Sequence, residues 1–584
     1  MHQDLRSFIE ALRREGEIIE VTCPVDPFLE IAEIHRRVIE QGGKALLFTN
    51  VKGSSFPVVT NLFGTKRRID LAFGSAPENF VRSAVRAIDS LLPPRLSSLW
   101  TEKKLLTAGL KLGTKRIRSG PVLDVTMEGP NLEDIPLLQL WPEDGGHFVT
   151  LPLVYTESPV NKKHNLGMYR IQRYDKVTTG IHWQIGKGGG FHHFEAEERG
   201  EALPVTIFLG GPPALMLAAI APLPEDVPEL MLASLLAGGK LGMVDNPERG
   251  GHRLVAGAEF AICGEVVPRE RRPEGPFGDH YGYYSLIHPF PVFKAKSVFH
   301  RRDAIYPATV VGKPRQEDFF ICDYLQELLS PLFPLVMPQV LDLWSYGETG
   351  FHSLAAAVVR ERYSREALSA GFRILGEGQL SLTKFLLLTD MRLDLKDFRK
   401  LFEHILERMD PATDLFVFDR TSFDTLDYTS GKFNLGSKAI MVGVGEKKRD
   451  LRRTMPEKLP QGVRAAEIFC GGCIVIEAEG YEKNPGLLDQ LIRDTELQDF
   501  QLVVLHDEIK YARRVEDFLW ATWTRFNPST DMRSREVEVV NNHVRFGGPI
   551  GIDARMKPWH PKEVEPAPET VRLVNERWSE YFER

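Results

Sequence analysis

Three short segments hold ionisable, aromatic and glycine residues at spacings that suit proton transfer beside a bound planar group. They are Asn165-Leu-Gly-Met-Tyr-Arg170, Gly180-Ile-His-Trp-Gln-Ile-Gly-Lys-Gly-Gly-Gly190 and Glu274-Gly-Pro-Phe-Gly-Asp-His-Tyr-Gly-Tyr-Tyr284. Read as a strand, the first puts Asn165, Gly167 and Tyr169 on one face and Leu166, Met168 and Arg170 on the other. An arginine on an apolar face needs an anionic partner, because burying a guanidinium alone is expensive. Glu274 and Asp279 offer two carboxylates around Gly275-Pro276 and Gly278, where the backbone must turn sharply. An arginine beside two carboxylates suits acid–base work, since it can hold one ionised while burial and crowding raise the pKa of the other. The other reading of the same residues is a structural ion-pair triad.

The second segment carries His182 and Trp183, then Lys187 among glycines. A glycine-rich turn with a lysine can cradle a phosphate, and a tryptophan can stack on a planar ring. Each signal is weak alone, and His182 taken singly reads equally as a hydrogen-bonded strand histidine. His192-His193 follow, but neighbours on a strand point to opposite faces, which argues against a metal pair. Cys470-Gly-Gly-Cys473 has redox spacing but lies in an apolar run from Ala466 to Glu477, so a buried structural role is expected.

Together these segments resemble the UbiD-type decarboxylases, and the resemblance runs over nearly the whole chain. It extends to Leu203-Pro-Val, Leu209-Gly-Gly-Pro-Pro-Ala214, Pro222-Leu-Pro224, Thr383-Lys384-Phe385 and Arg525…Asn527-Pro528, and it looks like the long bacterial branch of that family. The resemblance implies a carboxy-lyase that reversibly decarboxylates an aromatic or α,β-unsaturated acid with prenylated FMN, with a quinone precursor such as a hydroxybenzoate as one candidate substrate. It puts the acid–base network on Arg170, Glu274 and Asp279. It puts flavin contacts on Asn165, Met168, Tyr169, Arg170, His182, Trp183, Gln184, Lys187, Gly188 and Lys384. It also implies a divalent metal, usually manganese, assisted by potassium at the flavin phosphate, with Asn165 and His182 as protein ligands. A third ligand, a glutamate in the family, is replaced here by Gly242. Losing carbon dioxide from an sp2 carbon leaves a carbanion that no side chain delocalises, so a cofactor must be the electron sink. Asp279 is then expected to protonate that carbon, its pKa lifted from about 3.9 by burial and by Glu274. The rival readings are a catalytically inactive flavin-binding scaffold or partner subunit, prompted by Gly242, and a flavin reductase, which would not need the Glu-Arg-Asp set.

The elements that must position these groups follow from periodicity. Leu5, Phe8, Ile9 and Leu12 mark an amphipathic helix ending at Gly16, and strands and a helix continue to Phe48, giving an N-terminal α/β domain over 1–120. Short strand-like runs punctuated by Gly and Pro over 121–320 fit an antiparallel split β-barrel that holds the flavin. Residues 321–584 read as a C-terminal α/β domain with an internal echo. Phe385-Leu-Leu-Leu-Thr-Asp390, a helix and Arg408-Met-Asp-Pro-Ala-Thr-Asp414 are answered by Leu502-Val-Val-Leu-His-Asp507, a helix and Arg525-Phe-Asn-Pro-Ser-Thr-Asp531. The apolar helix residues Phe398, Phe402, Phe518, Trp520 and Trp523 are expected to mediate self-association as a dimer or hexamer.

Composition bounds the rest. At 43% hydrophobic and 26% charged, 584 residues make a multi-domain globular protein, and a net charge of -7 gives no general attraction to nucleic acid. Basic clusters at Lys66-Arg67-Arg68 and Lys103 to Arg118 read as solvated faces. Five cysteines make no disulfide framework, which suits a reducing compartment. No basic segment followed by an apolar core opens the chain, so no signal peptide is expected. The uncharged run from Ala202 to Pro224 is broken by prolines and Gly210-Gly211, and reads as strand, turn and helix rather than as a membrane span. The expected protein is cytoplasmic, at most peripheral to a membrane, with a small carboxylic acid as substrate and a flavin prenyltransferase as cofactor supplier.

Overall fold

Leu5, Phe8, Ile9 and Leu12 are buried along one face of helix Leu5–Arg14, which Asp4 caps by accepting the Ser7 N–H at 2.8 Å. This helix opens a computed structural model that describes residues 2–91, 112–184, 188–221, 228–313 and 315–582. The chain forms two compact units, Met1–Leu328 with Lys562–Arg584, and Leu329–Pro561.

The expected segments 1–120 and 121–320 fall together in the first unit, with the C-terminal end of the chain. In the first unit the N-terminal sheet runs Ile18–Val21, Ala45–Phe48, Val58–Thr60 and then Tyr306–Pro307, so its last strand comes from the middle of the chain. One apolar core joins both regions, from Val21 and Ile34 to Trp141, Phe260 and Tyr306. The C-terminal helix Pro568–Phe582 also belongs to this unit: Asn575 accepts from Arg37 at 2.6 Å and the Tyr581 hydroxyl donates to Glu30 at 2.7 Å.

The middle of the chain forms a nine-stranded sheet. Its path is Phe148–Val149, Ile171–Arg173, Thr178–Ile181, His288–His300, Phe260–Glu274, Leu203–Leu209, Leu153–Glu157 and His164–Gly167, with Val125–Thr126 joining His288–His300 from the side. The strand expected across Asn165 to Arg170 stops at Gly167, and Met168-Tyr169-Arg170 interrupt it before Ile171–Arg173. These residues link the last strand of the path to the second, and four residues reach at most about 14 Å. The sheet must therefore curl until its two ends are neighbours, as a split barrel does, although no ladder joins them among the described residues. The run from Leu203 resolves into strand Leu203–Leu209 and helix Pro213–Ile220. A different stretch, Glu317–Val336, is long and apolar enough by composition to cross a membrane, but its Glu317 is fixed in the first unit by the N–H groups of Asn61 and Phe63. Of the first basic cluster, Arg68 is not solvated: it is buried against Asn61 at 3.0 Å and Glu17 at 3.4 Å.

In the second unit the echo is a duplicated fold. One sheet runs Val340–Ser345, Leu354–Val359, Phe385–Thr389, Gly436–Gly443, Leu415–Thr421; the other runs Val463–Cys470, Cys473–Ala478, Leu502–His506, His543–Asp553, Met532–Val540. Phe385 pairs with Leu354 and Ala439 as Leu502 pairs with Cys473 and Ile550. The copies share small devices too. The Asp414 carboxylate accepts the Asp410 N–H at 2.9 Å, as that of Asp531 accepts the Asn527 N–H at 2.8 Å. Strand-end Thr389 bonds helix His404 at 2.9 Å, while strand-end His506 bonds helix Thr522 at 3.0 Å, the same pair exchanged.

The apolar helix residues expected to drive self-association lie inside the chain. Phe398, Phe402, Phe518 and Trp523 fill one core shared by the two copies, with Phe398 5.5 Å and Phe402 5.8 Å from the Trp523 ring, and Trp520 is buried too. Cys470 and Cys473 face each other across the Gly471-Gly472 hairpin turn, both buried and unbridged.

Candidate active site

Strand Phe260–Glu274 ends by delivering Glu274 to the interior, and the following turn returns Asp279 to it. The turn is held from outside. Asp144 accepts the Gly278 N–H at 2.7 Å with one oxygen and the Leu140 and Trp141 N–H groups at 3.0 Å with the other. Gly145 N–H donates to Pro276 O at 2.7 Å, and Gln172 takes the Gly275 N–H at 2.8 Å. Gly275 sits at φ 96°, and a Cβ at Gly278 would collide with the Trp141 ring, so this close approach requires glycine at both.

Arg170 enters from the interruption in the curled sheet. Its guanidinium grips Glu274 with two parallel bonds of 2.8 and 2.9 Å, reaches Asp279 with Nη1, and also donates to Ser285 Oγ at 2.9 Å. The Phe277 ring lies 5.1 Å from the guanidinium carbon. Burial pushes Glu274 upward, but the Arg170 charge and hydrogen bonds outweigh it and hold Glu274 at about 2. Burial likewise raises Asp279, and the His280 hydrogen bond with the Arg170 charge overcomes it, leaving Asp279 well below the usual carboxylate range. The expectation that Asp279 is poised high is thus overturned for the resting site. Arg170 serves both carboxylates, and the His280 ring at 2.7 Å adds a second donor.

His182 extends the network. Its Nδ1 lies 3.1 Å from Glu274 Oε2, while its buried Nε2 has no partner. The tautomer that donates Nδ1–H to the carboxylate leaves a lone pair on Nε2. Asn165 donates to the Tyr169 hydroxyl at 3.4 Å, which also accepts the Gly189 N–H at 3.3 Å. Helix Gly188–Arg199 starts here, and its opening glycines are required by crowding. A Cβ on Gly188 would collide with Asn165 Oδ1, and one on Gly189 would sit 2.8 Å from Trp183 Nε1. The helix start at Gly188 beside Asn165, the unpartnered Nε2 of His182 and the buried, unpartnered Nε1 of Trp183 suit the phosphate end of a flavin.

Asn165, Tyr169, Arg170, His182, Trp183 and Gly188 therefore gather in one unit, with Met168 and Gln184 beside them in the chain. Lys187 lies outside the described residues. Lys384 belongs to the second unit, where it is buried and paired with Asp427 at 2.7 Å. His192 and His193 sit on the helix rather than on a strand, engaged by Thr156 at 2.9 Å and Glu197 at 3.5 Å.

Gly242, where the resemblance puts the third metal ligand, faces hydrocarbon. Gly242 lies on strand Leu241–Val244, and a Cβ there would meet Ile117 Cδ1 at 2.9 Å. Neither nearby acid replaces it: Asp245 is exposed and bound by Arg116 at 2.9 Å, and Glu248 is exposed. Among the described residues no group of three His, Cys, Asp or Glu side chains could hold a metal. Of the expected ligand set, Asn165 and His182 remain.

Sequence reasoning missed Asp144 and Ser285, and gave His280 no role. Trp141-Pro-Glu-Asp144-Gly-Gly146 has the look of a turn, but its hold on Gly278 is a contact over 134 residues that local pattern does not encode.

A clamped arginine between two buried carboxylates, at the meeting ends of a curled antiparallel sheet, is an arrangement that acid–base chemistry can use. Its relatives place it. Models of the 3-octaprenyl-4-hydroxybenzoate carboxy-lyase N-terminal, Rift-related and C-terminal domains match residues 9–88, 115–314 and 319–443. A protein of Chlamydia trachomatis is 52% identical over 581 residues, covering 99% of both chains. A protein of Chlamydia pneumoniae, named as a component of 4-hydroxybenzoate decarboxylase, is 51% identical over 582 residues, 99% of this chain and 98% of its own. In fold, the vanillic acid decarboxylase of Sedimentibacter hydroxybenzoicus matches at TM-score 0.68 and 22% identity, over 85% of this chain and 100% of its own. The UbiD-class enzyme HmfF of Pelotomaculum thermopropionicum, in complex with prFMN, matches at TM-score 0.62 and 22% identity, over 78% and 97%. The chain belongs to the UbiD family of carboxy-lyases and is a decarboxylase of that family. The family models end at residue 443, so the second copy of the C-terminal fold lies beyond them.

Proposed function

We propose that the protein uses prenylated FMN to decarboxylate an aromatic or α,β-unsaturated acid, with 4-hydroxybenzoate or a related quinone precursor as the first substrate to test. The Arg170 bridge between Glu274 and Asp279 carries this reading. Arg170 fixes both carboxylates; Glu274 stays ionised and keeps the guanidinium in place; Asp279 hands a proton to the carbon that loses carbon dioxide. Prenylated FMN, when bound, supplies the electron sink that an sp2 carbanion requires. Asn165, Tyr169, His182, Trp183 and the Gly188 helix start would hold its phosphate end, with Lys187 as a further contact. Manganese, assisted by potassium, would take Asn165 and His182 as its protein ligands and water in place of the missing carboxylate, because hard cations accept water readily. The intact Arg-Glu-Asp set argues against an inactive scaffold. The chain would work in the cytoplasm with a flavin prenyltransferase as supplier, and any self-association as a dimer or hexamer would use faces other than the filled helix core. Co-expression with a flavin prenyltransferase should yield a protein with a modified flavin spectrum that releases carbon dioxide from a hydroxybenzoate or cinnamate-like acid. A coloured holoenzyme inert toward every member of such a panel would contradict the proposal.

A further inference from the structure

Decarboxylation consumes one proton per turnover: R–CO2⁻ + H⁺ gives R–H + CO2. On the reading that Asp279 delivers it, on which this inference rests, the site needs an entry for solvent protons. Asp279 is buried and held ionised, so it does not store the proton at neutral pH. Of the groups touching it, Arg170 does not release a proton in proteins. His280 does: its Nδ1 lies 2.7 Å from Asp279 Oδ1, and its backbone N–H donates to the same oxygen at 2.8 Å. The His280 side chain is also more exposed than that of Asp279, 23% against 12%.

A second carboxyl waits nearby with no role in the network above. Asp318, at the head of helix Glu317–Leu329, has a buried Oδ1 without a hydrogen-bond partner. Its neighbour Glu317 is occupied by Asn61, Phe63 and Thr309. Burial lifts Asp318 to about 6, His280 and a hydrogen bond from the Phe319 N–H pull it down, and Asp279 and Glu317 push it up, so it feels both members of the pair. A buried carboxyl oxygen left without a partner costs stability and is a mark of functional sites.

We infer that His280 is the proton relay to Asp279 and that Asp318 is the carboxylate that stabilises the charged form of His280. Water protonates Nε2 of the ring, the imidazolium gives its Nδ1 proton to Asp279 Oδ1, and the neutral ring, left with its proton on Nε2, returns to the Nδ1–H tautomer by exchange with solvent. One solvent proton enters for each C–H bond formed. The charged groups facing this pair are Arg170 and, through it, Glu274, with His182 behind Asp279 and Glu317 beside Asp318. Both are positioning and supply residues, since they act through Asp279.

Histidine-selective 15N spectra of the full chain across pH should show the His280 midpoint falling by roughly one unit in Asp318→Asn, because an opposite charge has been removed. In the holoenzyme, His280→Asn keeps a donor near the Nδ1 position but relays nothing. It should cut kcat on the order of 10²-fold with KM and flavin spectrum unchanged, and imidazole buffer should restore the rate. An unmoved midpoint in Asp318→Asn, or a loss that imidazole does not rescue, overturns the inference. If wild type releases no carbon dioxide from any acid tested, the decarboxylase reading of the site fails, while the spectra still decide the His280–Asp318 coupling.

Discussion

His182 Nδ1 stands 3.1 Å from Glu274 Oε2, and that single contact ties the proposed cofactor pocket to the acid–base set. The prediction is that His182→Ala damages both. Flavin binding should weaken at least about tenfold as the free Nε2 is lost. Stability should drop by about 1–3 kcal/mol, because a buried carboxylate oxygen loses one of its donors. Fluorescence titration with FMN and urea unfolding measure the two effects, and an unchanged FMN affinity would count against the pocket assignment.

Asp144 takes three backbone N–H groups, one from Gly278 beside Asp279. Asp144→Ala should destabilise the protein by about 1–3 kcal/mol per donor left unpaired. It should also slow turnover far more than it weakens flavin binding, with Asp144→Asn milder on both. Equal losses in both variants would mean that the turn does not depend on this acceptor.

The site at Gly242 predicts loose metal. Chelator should strip manganese from the flavin-bound wild type readily. The pair Ile117→Ala with Gly242→Glu, which clears Ile117 Cδ1 and adds a carboxylate, should retain the metal at least about tenfold more tightly by metal analysis. Tight retention in wild type would show that a third ligand is supplied from elsewhere.

Buried histidines set the acid limit. Burial, with Arg36 and Arg68 nearby, lowers His35 to about 3 from its usual 6.5. Between those values the unfolded chain binds the proton and the folded one does not, so stability is full above 6.5 and is lost as pH falls toward 3. His506 adds the same trend in the second unit. Thermal unfolding followed from neutral to acid pH should show this decline, and His35→Leu should flatten it; an identical slope in the variant would assign the acid sensitivity elsewhere.

Much of this was legible in the residues. Arg170, Glu274 and Asp279 announced themselves because a buried guanidinium must find carboxylates, and the echo was visible because both copies keep the same distance from strand-end Asp to Pro. Other features turn on distant contacts. The ionisation of Asp279 depends on where His280 and Arg170 come to rest, which residue type does not state. The helix at Gly188–Arg199 begins with three glycines that disguise it as a loop and strand. Tyr306–Pro307 is too short a strand to signal that it completes the N-terminal sheet. The apolar helix residues were expected to mediate self-association, but Phe398, Phe402, Phe518 and Trp523 fill a core within the chain itself.

If Asp279 places the proton on the carbon that loses carbon dioxide, decarboxylation in deuterated water by wild type and Asp279→Asn, both loaded with prenylated flavin, tests it most directly. Wild type should give product with one deuterium at the vacated carbon. The variant, with the same flavin spectrum and melting temperature, should be slower on the order of 10²–10⁴-fold, the usual worth of a general acid. A variant that labels the same carbon at the wild-type rate would contradict the account.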